Sequence, residues 1–135
     1  MSYSDRFLWS SKDETFDGAS TLAPAITFCP MSKALVHKIG LRVTNTATGG
    51  ITSAVFTKNS GASTTSAVGT IVVPASNQQG KLIYKELATP IEFNPGDFLT
   101  IVVTESGTAP TAIPVMEVSM SEVKLVDATN TVVTG

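Results

Sequence analysis

The sequence is poor in the residue types that build chemical sites. Its 135 residues include one cysteine and one histidine, so an internal disulfide is excluded and a zinc site, with its three or four ligands, is not expected. Charged residues make up 15%, well below the roughly 25% of an average soluble domain. The net charge of −2 offers nothing to attract a phosphate backbone, so nucleic acid is not an expected partner.

Membrane, secretion and cofactor motifs are also missing. No apolar run reaches the roughly 18 residues of a membrane span. The first residues contain no apolar core of signal-peptide length, so the chain is expected to be made in a cytoplasm. No glycine-rich phosphate loop is present.

The remaining candidates for chemistry are weak. Cys29 and His37 are the types of a nucleophile and a base, but neither lies in a context typical of cysteine hydrolases. Residues 13–18 place oxygen ligands before a glycine as a calcium loop does, yet Pro24 stands where the last carboxylate belongs. A glycosidase pair would have to come from Glu86, Glu92, Asp97 and Glu105. We therefore predict no catalytic residue, no metal and no cofactor.

One segment, PIEFNPGDFLTIVVTE at residues 90–105, is the most informative. Pro95 presets φ at the second position of a turn and Gly96 allows the positive φ of the third, which predicts a type II turn. The residues after it alternate, with Leu99, Ile101 and Val103 on one side. This is typical of a half-buried β-strand.

Similar short strands recur along the chain, and no helical periodicity is visible. The predicted strands are residues 22–28, 35–44, 51–58, 70–73, 81–86, 91–93, 97–105 and 115–126. In strand 35–44, Leu35, His37, Ile39, Leu41 and Val43 should share one face. Residues 59–68 and 107–114 are predicted loops, and the stripe of Met116, Val118 and Met120 is predicted to be core. The fold class is all-β, a single-domain, jelly-roll-like antiparallel β-sandwich of about eight strands.

Residues 1–20 are predicted to form an extended N-terminal arm, and 21–135 the sandwich domain. The arm holds four of the nine aromatic residues, whereas solvated tails normally hold few. It should therefore pack against its own domain or a neighbouring subunit. We predict that a partner is bound by Tyr3, Phe7, Trp9 and Phe16.

The order of the elements carries a resemblance, running LVHKIGLRVTNT, AVFTKN, GTIVVPA and PIEFNPGDFLTIVVTESGTA. Over roughly residues 35–125 it resembles the small jelly-roll proteins that decorate tailed-phage capsids, known as cement or head-decoration proteins. The resemblance implies a non-enzymatic virion protein, a homotrimer that binds the major capsid protein on the capsid surface and stabilises the assembled head.

Two other functions stay open. A phage tail-fibre or spike module that binds host glycans is the alternative, although the predicted loops lack the aromatic platform of a typical sugar site. A main coat protein of a small virus is the third possibility, but its usual basic arm is replaced here by an acidic one.

Overall fold

Two antiparallel β-sheets pack face to face in the computed structural model of the chain. The structure describes residues 6–16, 28–45, 52–61, 64–74 and 77–120, together with the backbone of two short strands at 125–126 and 132–133. The strands are β1 (Phe7–Ser10), β2 (Glu14–Thr15), β3 (Ala34–Asn45), β4 (Thr52–Ser60), β5 (Thr64–Val73), β6 (Leu82–Phe93), β7 (Phe98–Glu105), β8 (Thr111–Met120), β9 (Leu125–Val126) and β10 (Val132–Val133).

The sheet order confirms the predicted fold class. The larger sheet runs β1-β8-β3-β6 with β2 also on β8, the smaller runs β5-β4-β7, and β9 pairs with β10. Most successive strands from β3 to β8 lie in different sheets, so the chain alternates between the two layers in a jelly-roll-like manner. Within the described ranges there is no helix, and hence none long and apolar enough to cross a membrane.

The core lies between the sheets and is built from alternate residues of their strands. Burying each large apolar side chain stabilises the fold by about 1.5–3 kcal/mol. Met116 and Val118 are buried as predicted, and Met120 packs against them from the margin. The largest fully buried side chains are Phe16, Phe56, Phe93, Ile39, Leu41, Leu99, Ile101 and Met116.

The predicted turn between β6 and β7 is present. Gly96 has a φ of +91°, which a residue with a side chain rarely adopts. The amide of Asp97 donates to the carbonyl oxygen of Asn94 at 3.0 Å, and the Asp97 carboxylate accepts the Asn94 amide at 2.8 Å. Beyond the turn, Leu99, Ile101 and Val103 point into the core as expected.

A β-bulge in β3 changes which residues face the core. Against β8, Val36 and Lys38 pair with the consecutive residues Val118 and Glu117, so His37 is the extra residue there. Against β6 the register also shifts at this point, but the extra residues are 87–90 of β6. The predicted common face is therefore wrong before the bulge, where Val36 rather than Leu35 is fully buried. It is confirmed after the bulge, where Ile39 begins the buried series.

Three stretches that were predicted as loops or breaks are strand. β4 and β5 continue as a hairpin through much of 59–68, because β-branched threonine favours strands. β6 runs unbroken past Pro90, which lies where β6 has no partner residue on β3. β8 begins at Thr111 and includes Pro114. The predicted strand at 22–28 lies outside the described residues except for Phe28, which is not in a strand.

The N-terminal strands β1 and β2 lie one after the other along the outer edge of β8. Between them the amide of Ser11 donates to the carbonyl oxygen of Pro114 at 2.9 Å. Pro114 has no N–H to return, so the ladder is interrupted at this point. The described part of the predicted arm, residues 6–16, thus lies on the chain's own sheet, and the predicted boundary at residue 20 falls outside the described residues.

Candidate interaction surfaces

The four aromatic residues that were predicted to bind a partner do not form one surface among the described residues. Tyr3 lies outside them, and Phe7 on β1 is 44% exposed. Trp9 packs against the core, with its ring edge-on to Phe28 at 5.5 Å between centroids. Phe16 is fully buried, so it stabilises this chain and is not available to a partner. Phe7 is left as the exposed member of the described three.

A different surface stands out on the smaller sheet, where every described side chain of the outer face is uncharged. Val72, Val102 and Phe98 are each more than 40% exposed on it. We call it the threonine–valine face. It consists of Thr65, Ala67, Thr70 and Val72 from β5, Ser53, Val55, Thr57 and Asn59 from β4, and Phe98, Thr100, Val102 and Thr104 from β7.

Three polar side chains of the threonine–valine face, those of Asn59, Thr57 and Thr100, already have hydrogen-bond partners within the face. The Asn59 amide donates to Thr100 Oγ1 at 3.0 Å and to the carbonyl oxygen of Phe98 at 3.2 Å. The Thr57 hydroxyl donates to the carbonyl oxygen of Val55 at 3.3 Å. Covering these three side chains would therefore bury groups that are already hydrogen-bonded, which lowers the desolvation cost in this part of the face.

The outer face of the larger sheet has a groove at Gly40. A Cβ at this position would lie 3.0 Å from both the Tyr84 Cβ and the Ile83 carbonyl oxygen, so glycine is needed for the close approach. The groove has a volume of about 170 Å³. Its apolar walls include Leu8, Leu82 and Tyr84, which are 68%, 53% and 60% exposed.

Charged residues line one end of this groove. Arg6 Nη1 lies 2.9 Å from Glu117 Oε1, and Lys38 Nζ lies 3.6 Å from Glu117 Oε2. The Lys38 ammonium also stands 5.8 Å from the centroid of the Tyr84 ring. The hydrogen bond from Arg6, followed by the charge of Lys38, holds the pKa of Glu117 below its ordinary value of 4.5.

His37 is buried on the outer side of the bulge, with Nε2 2.7 Å from Ser119 Oγ. A serine hydroxyl on an imidazole is half of a nucleophile–base arrangement, but a nucleophile must reach its substrate. Ser119 is only 3% exposed, so the geometry supports a structural hydrogen bond. Burial, followed by the charge of Arg6, lowers the pKa of His37 below 6.5. The exposed thiol of Cys29 is not a partner of His37.

Three of the acidic residues that were considered for calcium binding or glycoside hydrolysis have structural contacts. Asp13 accepts the Thr44 hydroxyl at 2.8 Å, and Asp97 closes its turn. Glu92 lies 3.7 Å from the Lys33 ammonium. Within the described ranges, no group of three or more histidine, cysteine, aspartate or glutamate residues is placed to hold a metal.

Comparison with known proteins places the chain in no family. No family model matches it, and no curated protein matches it either. Among solved structures it is similar to a chain of Bacillus endospore appendages, described as a novel family of disulfide-linked pili. The two are 23% identical, the match covers 91% of this chain and 96% of that one, and the TM-score is 0.43. A likeness this distant says nothing about what the present chain does.

Proposed function

We propose that the chain is a structural protein of a phage particle that docks on the surface of the assembled head through its threonine–valine face. The observation that supports this function is the uncharged character of all twelve side chains of the face. An interface that is free of charge avoids the desolvation penalty of buried ions, and charged residues are depleted in the centres of protein interfaces. In this proposal the partner is the major capsid protein, and the chain has no catalytic role.

The size of the face indicates how docking must work. Three strands at a spacing of about 4.8 Å, over about seven residues each, give roughly 350 Å². A stable interface covers about 800 Å² on each partner. One face therefore binds weakly, and several copies in a homo-oligomer bind tightly through their high effective concentration. Because the docked copies bind the assembled lattice and not free subunits, they stabilise the particle.

A pair of lysine substitutions tests this function. Val102→Lys places a charge on the threonine–valine face in the middle of β7, whereas Leu82→Lys places the same charge on the opposite face at a residue of similar exposure. Both are surface changes, and we expect stability to stay within about 0.5 kcal/mol. Cosedimentation with heads that lack the protein should fall at least about tenfold for Val102→Lys only, which corresponds to about 1.4 kcal/mol.

Two results would contradict the proposal. Equal cosedimentation of Val102→Lys and wild type would show that the face does not dock. Absence of the protein from purified virions, by mass spectrometry, would remove the phage function altogether.

Glycan binding is a second candidate, and the groove at Gly40 favours it. Tyr84 is 60% exposed beside an apolar floor, with Lys38 and Glu117 within the same lining to donate and accept hydrogen bonds. Sugar sites combine such an apolar surface with a few polar groups. A glycan array should then show binding by wild type that Tyr84→Ala abolishes and Val102→Lys retains. An array without any bound glycan would dismiss this candidate.

A further inference from the structure

The edges of the two sheets are protected to different degrees. An edge strand presents unpaired N–H and C=O groups, which proteins usually cover or interrupt with charges and prolines. β1 and β2 cover the edge of β8, and β1 itself has only four residues. The edge of β7 receives the carbonyl oxygen of Phe28, which accepts the Leu99 amide at 3.0 Å. β6 carries Lys85, Glu86 and Pro90.

Among the long described strands at a sheet edge, β5 is the one whose edge is not protected in any of these ways. It pairs only with β4 within the described part of the chain, and its ten residues, TTSAVGTIVV, include no charge and no proline. Four of them in a row, from Thr70 to Val73, combine high β-propensity with no net charge, the composition that favours strand pairing between chains.

The direction of the free groups on β5 follows from the ladder. The Leu99 amide points away from β4 and donates to Phe28. The backbone N–H and C=O groups of the alternate residues Thr100 and Val102 therefore point toward β4. On β4 these groups bond to Thr57 and Val55, whose backbone groups therefore face β7. The backbone groups of the alternate residues Ala54 and Phe56 then face β5. Because Ala54 and Phe56 pair with Ile71 and Gly69, the backbone groups of Thr70 and Val72 point to the open edge.

We infer that the open edge of β5 pairs antiparallel with β5 of a second copy of this chain. A two-fold axis at Ile71 sets Thr70 opposite Val72 of the second copy. In each such pair the N–H of either residue donates to the carbonyl oxygen of the other, so two hydrogen bonds form across the contact. The pairing brings no like charges together. It also joins two threonine–valine faces into one six-stranded surface of roughly 700 Å², close to the roughly 800 Å² per partner that a stable interface needs.

The dimer itself does not depend on the proposed docking function, but its use in enlarging the docking surface does. A trimer, which the resemblance to decoration proteins implied, is not the assembly that this pairing builds. Solution mass therefore decides between the two.

Light scattering across a concentration series of the purified full chain tests the dimer. The expected mass is twice the 14.1 kDa of one chain. Val72→Pro removes an N–H that points to the open edge and leaves the residues facing β4 unchanged, so we expect the dimer dissociation constant to rise at least about tenfold. Val72→Lys gives a second variant without proline strain. Far-ultraviolet circular dichroism establishes that each variant is folded.

Thr104→Lys is the matched control, since it adds a charge to the same face on the strand farthest from the β5 edge. It should dimerise as wild type does while losing head cosedimentation. A monomeric or trimeric wild type, or a dimer whose dissociation constant is unchanged in both folded Val72 variants, would overturn the pairing. A dimer that is sensitive to Val72 in a protein that never binds heads would retain the pairing and refute only the docking function.

Discussion

The two outer faces of the sandwich differ far more than their inner faces do. Both sheets give the core alternate apolar residues, such as Leu41 from β3 and Phe56 from β4. Outside, the larger sheet carries Glu117 and its cations around a groove, whereas the smaller sheet carries threonine and valine without a charge. The scarcity of charged residues in this chain is thus most evident on the outer face of the smaller sheet, where none of the twelve side chains is charged. In the proposed docking function, the threonine–valine face is the surface that a partner covers, and the outer face of the larger sheet stays in water.

The largest effect should come from closing the groove. Gly40→Val would press a branched side chain against Tyr84 and the Ile83 carbonyl oxygen, which lie 3.0 Å from an added Cβ. We expect a loss of about 1–3 kcal/mol in the free energy of unfolding by urea. Ser53→Val, on the central strand of the other sheet, should change stability by less than about 0.5 kcal/mol. Equal stability of the two variants would mean that the larger sheet adapts to a side chain at Gly40.

Acid should weaken the fold through the larger sheet. Burial and then Arg6 lower the pKa of His37 below 6.5, so in the window between the lowered value and 6.5 the unfolded chain binds more protons than the folded one. The stability that depends on neutral His37 is complete above pH 6.5 and is lost as the pH falls through that window. Thermal unfolding at pH 8 and pH 5 should show a lower midpoint at pH 5, and His37→Gln should reduce the difference. An unchanged difference in His37→Gln would assign it to other groups.

The ion pairs of the larger sheet should contribute less. Glu117→Gln removes the charge that Arg6 and Lys38 share, and partly exposed pairs of this kind are worth at most about 1 kcal/mol. Since the pKa of Glu117 is held below 4.5, its contribution is present above that pH and is lost on further acidification. Urea unfolding at pH 7 and pH 3.5 should therefore differ less in Glu117→Gln than in wild type, while Thr104→Val on the other face keeps the full difference.

The smallest effect should be that of salt on docking. Exposed charges are screened at high ionic strength, but the threonine–valine face has none to screen. Head cosedimentation should change by less than about threefold between about 0.05 and 0.5 M salt. A steep loss with salt would place the contact on the charged face instead.

The sequence was a good guide wherever local chemistry decides the conformation. The Asn94–Asp97 turn was predictable because only glycine readily takes the positive φ of Gly96. The alternation from Leu99 to Val103 was equally direct. The bulge at His37 was not, since one inserted residue leaves no mark on an alternating pattern until the neighbouring strands fix the register. The hairpin through 59–68 was missed because threonine and serine are common in loops as well as in strands.

The surfaces were less predictable than the strands. Composition showed that charge was scarce, but not that it was absent from one face, because the face is assembled from β4, β5 and β7, up to about 50 residues apart in the chain. Phe16 illustrates the same limit. Its aromatic ring indicated that it packs against something, and only its place beside β8 showed that the contact is this chain's own core.

By itself, the sequence determined an all-β sandwich with its turn at Asn94–Asp97, because alternation and turn chemistry act between neighbouring residues. Tertiary structure alone decided the register at His37, the close approach of Tyr84 to Gly40, and which uncharged residues share a face. These depend on pairings between distant strands, and the free energy of such pairings belongs to the assembled sheets and not to any one segment.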